Sequence, residues 1–140
     1  MHARIILADE DHSFLRSLRR ALQGDFEIVA AVPDGDTLLQ LTRDLAPDVI
    51  LLGLALGVCG GFDVTRRIRE AIRGVKVVIL SMHTDRAYVE EALNVGASGF
   101  LLKSAERAEL VKAIHHVMQG GTYVGEGLPC LGTSDLRPLP

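Results

Sequence analysis

Cysteine is scarce in this chain: 140 residues carry two, Cys59 and Cys130, with neither a paired metal-ligand spacing nor a disulfide framework. That excludes a small stapled secreted domain and points to a reducing compartment. Positive charge is not in excess either. The formal net charge is -3, so bulk electrostatics gives no reason to expect tight nucleic-acid binding by this segment. No apolar run approaches the ~20 residues that cross a bilayer, and no signal-peptide pattern opens the chain. The expectation is a cytoplasmic protein with no membrane contact. What is present is the balance of an ordinary globule, 48% hydrophobic and 24% charged, in a length that suits one domain with one core.

Two hydrophobic periods alternate along the chain. The run ARIILA (3 to 8) reads as a strand, after which Phe14, Leu15, Leu18 and Leu22 fall at helical spacing and Gly24 ends the helix. EIVAAV (27 to 32) is a second strand, and the Pro33-Asp34-Gly35 turn leads into a helix carrying Leu38, Leu41 and Leu45. After Pro47 comes DVILLGL, then Val64, Ile68 and Ile72 at four-residue spacing. VKVVIL (75 to 80), a helix from Asp85 to Asn94, GFLLK (99 to 103), and a helix bearing Leu110, Val111, Ile114, Val117 and Met118 complete the pattern. Five strand-helix pairs in strict alternation predict an α/β fold: a single five-stranded parallel sheet with helices on both faces. The nearly continuous apolar strands agree with burial on both sides.

In such sheets the working crevice lies beyond the carboxyl ends of the strands, where strand order reverses. Asp9, Glu10 and Asp11 stand at the end of the first strand, Gly53 at the third, Ser81 at the fourth and Lys103 at the fifth. Carboxylates hold Mg²⁺, while a hydroxyl and an ammonium stabilise phosphoryl oxygens. Each residue alone has a plainer account: the acids cap the first helix, Ser81 begins a loop, and Lys103 is a solvated strand end. Their joint placement at four strand ends favours a phosphoryl pocket, and one without a nucleophile.

At this point the chain resembles a family, the receiver domains of two-component response regulators, and within it the LuxR/NarL-type transcription regulators. RIILADEDHSFLRSLRRAL, PDVILLGLALGVCGGFDVTRRIR, VVILSMHTDRAYVEEALNVGASGFLLKS and HHVMQGGTYV carry the resemblance, which extends over residues 3 to 124. It implies a flavodoxin-like (βα)5 receiver over 1 to 122 and a linker or C-terminal tail over 123 to 140. The resemblance places the Mg²⁺-binding acid pair on Asp9 and Glu10, the phosphoryl-following hydroxyl on Ser81, the switch aromatic on Phe100 and the family lysine on Lys103. The phosphoacceptor falls on Gly53, and Gly57 stands where the family usually has proline.

Glycine cannot form an acyl phosphate, because the transfer needs a carboxylate oxygen in line with the donor phosphorus. Mg²⁺ would keep only Asp9 and Glu10 as acidic ligands, so its binding should be weak at best and no cofactor is required. Lys103, without its usual carboxylate, is expected to turn to Asp9 or Glu10, a constitutive lock. Rescue by Asp9 or Glu10 would need attack at a poor angle from the neighbouring strand. Asp48 and Asp63 lie at the far edge and in the following helix.

Other features are weaker. GVCGGF lacks the Lys-Ser/Thr ending of a P-loop, and a mobile loop with an incidental Cys59 is its plain reading. His115 and His116, adjacent on a helix, cannot ligate one metal, and His2, His12 and His83 show no useful spacing. The stretch GEGLPCLGTSDLRPLP reads as linker or tail. In LuxR-type regulators a linker here leads into a DNA-binding helix-turn-helix domain, absent from this sequence, so the chain is either a fragment or a single-domain protein. Two functions follow. One is a pseudo-receiver acting on transcription through protein contacts, with other regulator domains, a histidine kinase or a second copy as partners. The other is a flavodoxin-like phosphatase or small phosphoryl-transfer enzyme using Asp9 and Lys103.

Overall fold

The carboxyl ends of the strands are brought to one rim by a parallel sheet. The computed structural model describes residues 2–129. Its elements are β1 (Arg4–Ala8), α1 (His12–Leu22), β2 (Glu27–Val32), α2 (Gly35–Leu45), β3 (Val49–Gly53), β4 (Ala55–Leu56), β5 (Cys59–Gly60), α3 (Gly61–Ala71), β6 (Lys76–Ser81), α4 (Arg86–Asn94), β7 (Gly99–Leu102), α5 (Arg107–Met118) and β8 (Tyr123–Val124). The main sheet runs β2-β1-β3-β6-β7-β8, parallel throughout. Strand order reverses between β1 and β3, which puts the crevice between their carboxyl ends.

The two-residue period of the strands divides the core into two layers. Ile5, Leu7, Leu51 and Leu80 pack with Leu15, Leu18 and Leu22 of α1 and Leu110, Ile114 and Val117 of α5. Ile6, Ala8, Leu52 and Ile79 pack on the opposite face with Leu38 of α2, Val64 and Ile68 of α3, and Val89 and Leu93 of α4. Every residue of β3 is buried, as its unbroken apolar run requires. The helices start on side-chain caps where the sequence supplies acids. Asp11 Oδ1 accepts from Ser13 N at 3.0 Å and Phe14 N at 3.2 Å, and Asp34 Oδ1 accepts from Thr37 N at 2.8 Å. The Thr37 amide holds the Asp34 carboxyl below its ordinary range. Among the described residues no helix is long and apolar enough to cross a membrane.

Two features depart from the sequence reading. The sheet has six strands rather than five, because Tyr123–Val124 pairs with β7 through Gly99↔Tyr123 and Phe100↔Val124. The expected tail therefore begins with residues still in the sheet, and its portion from Cys130 onward lies outside the described residues. A two-residue strand leaves too short a period to read from sequence. The second departure is the glycine-rich segment after β3. It is folded as a short antiparallel hairpin rather than an irregular loop, with Ala55 opposite Gly60 and Leu56 opposite Cys59. Gly57, at φ 76°, makes the turn, a conformation that proline in the family's position could not adopt.

Candidate functional site

Two backbone hydrogen bonds hold the end of β1 in the crevice: Asp9 N donates to Val32 O at 3.1 Å, and Glu10 N to Ala55 O at 3.2 Å. The first bond ties β1 to β2, the second to the hairpin. Asp9 is thereby buried, only 1% exposed. Its Oδ1 accepts from Asp11 N at 2.9 Å. Its Oδ2 has no partner in hydrogen-bonding geometry and lies 2.7 Å from Lys103 Nζ. A buried carboxylate is costly without a compensating charge, so the ammonium is what allows Asp9 to sit here.

Lys103 is positioned from two further directions. Its backbone N donates to Ser81 O at 2.8 Å, which ties the end of β7 to the end of β6. Its Nζ lies 4.6 Å from the centroid of the Phe14 ring, a cation-π contact contributed by α1. Helical spacing accounts for Phe14 as a core residue. Nothing in that spacing reveals that the face of an α1 ring covers the lysine.

Gly53 closes β3 beside this pair. A Cβ built there would overlap Asp9 Oδ2, with Asp9 Cγ at 2.9 Å and Lys103 Cε at 3.6 Å. The Asp9 carboxylate thus fills the volume in which a side chain at 53 would begin. The expected turn of Lys103 toward the acid pair is present, and Asp9 is the acid it meets.

The remaining pocket residues are each satisfied within the chain. Glu10 is exposed and its Oε1 accepts from Gly57 N at 3.1 Å, so it leans on the hairpin turn. Ser81 is buried, and its Oγ accepts from His83 N at 2.9 Å. The His83 ring stacks on Tyr88 at 4.1 Å with an interplanar angle of 12°. Phe100 is fully buried on β7, in the layer with Leu52, Ile79 and Val89. Over the strand ends opens a crevice of about 530 Å³ whose lining includes Asp11, Phe14, Ser81, Met82, Thr84 and Lys103. Met82 stands at its rim, 79% exposed.

The implied metal can be tested against these donors. Mg²⁺ requires near-octahedral oxygen ligation and gives up water reluctantly. Here Asp9 is held by Asp11 N and Lys103, Glu10 by Gly57 N, and position 53 has no side chain. Among the described residues no group of three or more His, Cys, Asp or Glu side chains is arranged to hold a metal ion. This donor set does not fit the metal. The Asp9 oxygen nearest Gly53 is the one already paired with an ammonium.

The other carboxylates named from sequence have local duties. Asp48 Oδ2 accepts from Arg4 N at 2.8 Å, and Asp63 pairs with Arg67 at 3.1 Å and Arg66 at 3.7 Å. Cys59 is half-buried on β5. His115 and His116 diverge, the first meeting the edge of Phe26 at 5.5 Å and the second that of Tyr123 at 5.8 Å.

Comparison with known proteins agrees with the geometry. The model of the response regulator receiver domain matches residues 5–115. The transcriptional regulatory protein DegU of Brevibacillus brevis is 36% identical over 122 residues, covering 86% of this chain and 52% of that protein. The oxygen regulatory protein NreC of Staphylococcus haemolyticus is 34% identical, covering 86% of this chain and 57% of that one. A crystal structure of a two-component response regulator of the LuxR family from Aurantimonas sp. SI85-9A1 superposes with a TM-score of 0.83 at 32% identity, covering 88% of this chain and 89% of that one. The chain spans about half the length of the curated relatives it matches.

Proposed function

The chain belongs to the response regulator receiver domain family, LuxR/NarL type, and from that premise we propose that it is an atypical receiver that signals through protein contacts without phosphorylation at position 53. The observation that carries this reading is Gly53 at the carboxyl end of β3, with the Asp9 carboxylate in its side-chain space. Phosphoryl transfer requires an accessible carboxylate oxygen in line with the donor, and neither Gly53 nor the buried, ion-paired Asp9 offers one.

In this reading an equilibrium that relatives bias by phosphorylation is set here by the sequence itself. The Asp9-Lys103 pair is the constitutive lock. Phe100, fully buried, is the aromatic of the switch in its inward position. No cofactor is required, and the Mg²⁺ expected on Asp9 and Glu10 has no fitting donor set, since both carboxylates are engaged within the chain. The contact surface is the face of α4, β7 and α5, and partners are other regulator domains, a histidine kinase or a second copy. Residues 1 to 122 form the receiver unit, with Tyr123–Val124 added to its sheet and the rest a tail. The relatives' greater length supports a DNA-binding domain following that tail in a longer parent protein, which would act in the cytoplasm. The small phosphoryl-transfer enzyme loses its support, because Asp9 and Lys103, the two residues it needs, are engaged with each other.

Incubation with Mg²⁺ and acetyl phosphate, followed by intact-mass measurement, tests the proposal. The mass should stay unchanged. A stable gain of one phosphoryl group would overturn the reading, and steady consumption of the donor would return the enzyme to consideration.

A further inference from the structure

A lost acceptor and a remodelled pocket make different demands on position 53. If glycine were only the trace of a lost aspartate, a small side chain there should be harmless, since Gly53 is absent from the positive-φ positions and its strand conformation suits any residue. The space says otherwise. A Cβ at 53 would overlap Asp9 Oδ2 and approach Asp9 Cγ to 2.9 Å. That carboxylate is 1% exposed and tied at both oxygens, to Asp11 N and to the Lys103 ammonium.

From this we infer that Gly53 is a space-making residue: the missing Cβ admits the Asp9 carboxylate over the end of β3, where it captures Lys103 as the resident cation of the pocket. The inference rests on the reading that no acceptor operates at 53, and deepens it by naming what replaced the acceptor. Four elements meet in the device. β1 supplies the carboxylate, β3 the space, β7 the ammonium, and α1 the Phe14 ring at 4.6 Å that covers it. The charge that balances the buried carboxylate is the ammonium of the chain's own Lys103. A pocket so filled is closed to divalent cations. Gly53 therefore acts through Asp9, as a positioning residue.

The test is the sign of an epistasis. Gly53→Ala adds one methyl and no acid, so it pushes Asp9 aside without offering an acceptor. It should lower Tm by about 4 °C or more. Asp9→Ala alone should also lower Tm, by removing the partner of Lys103. Combined, the two should not add: Asp9→Ala removes the atoms that the new Cβ meets, so the double variant should be more stable than Gly53→Ala alone. Additive losses would overturn the inference, as would a harmless Gly53→Ala. If Gly53→Ala fails to fold, a folded double variant gives the same answer, and a double variant that also fails to fold counts against it. The acetyl phosphate result is independent, so phosphorylation of the wild type would sink the parent reading and leave the epistasis to be read on its own.

Discussion

Lys103 Nζ stands 2.7 Å from Asp9 Oδ2, with 22% of the lysine side chain and 1% of the aspartate exposed. The asymmetry decides what happens when one partner goes. Lys103→Met leaves a buried carboxylate with no counter-charge, at a cost of about 3 kcal/mol. Denaturant unfolding should show this as a lower midpoint at unchanged slope. Asp9→Asn combined with Lys103→Met should cost less than Lys103→Met alone, because removing both charges leaves neither orphaned.

Glycines of this chain are not equivalent, and the difference is measurable. A Cβ on Gly61 would lie 2.5 Å from Gly53 O and 2.9 Å from Leu54 Cα, backbone atoms that cannot step aside. Gly61→Ala should destabilise by about 2–3 kcal/mol as α3 is levered off the end of β3. Gly24, between α1 and β2, has nothing within 4 Å of such a Cβ and no positive φ. Gly24→Ala should be neutral or stabilise by about 0.5 kcal/mol through the unfolded chain. Equal losses at the two sites would refute the close-approach account.

Tyr123 carries the third test. Its hydroxyl donates to Glu109 Oε2 at 3.2 Å, and the same oxygen accepts from Glu126 N at 2.7 Å. Burial first, then the Glu109 charge, pushes the phenol up to about 12. The folded value exceeds the ordinary one of 10.0, so the stabilisation is fully present below that ordinary value and is lost as pH rises through about 12. The chain has two tyrosines, so ultraviolet titration of a Tyr88→Phe background isolates this group. Glu109→Gln should bring the midpoint down part of the way, with burial keeping the remainder.

Much of the fold was legible because periodicity is a local property. Leu15, Leu18 and Leu22 announce a helix face, and Val49 to Leu52 a strand buried on both sides, whatever lies around them. Asp9, Gly53, Ser81 and Lys103 were legible as a group because a parallel sheet carries all its strand ends to one rim. Tyr123–Val124 was not, since two residues have no period and their pairing with β7 depends on where α5 ends. Nor was the hairpin, which Gly57 can turn only because Leu56 and Cys59 find each other.

By itself the sequence determined the order of strands and helices, the rim they share, and the absence of a carboxylate at position 53, because these follow from residue type and spacing. Only the tertiary structure decided what fills that absence. Whether Asp9 or Glu10 would meet Lys103 depends on through-space distances between β1, β3 and β7, and on Gly57 N holding Glu10 while Asp9 lies over a Cβ that is not there.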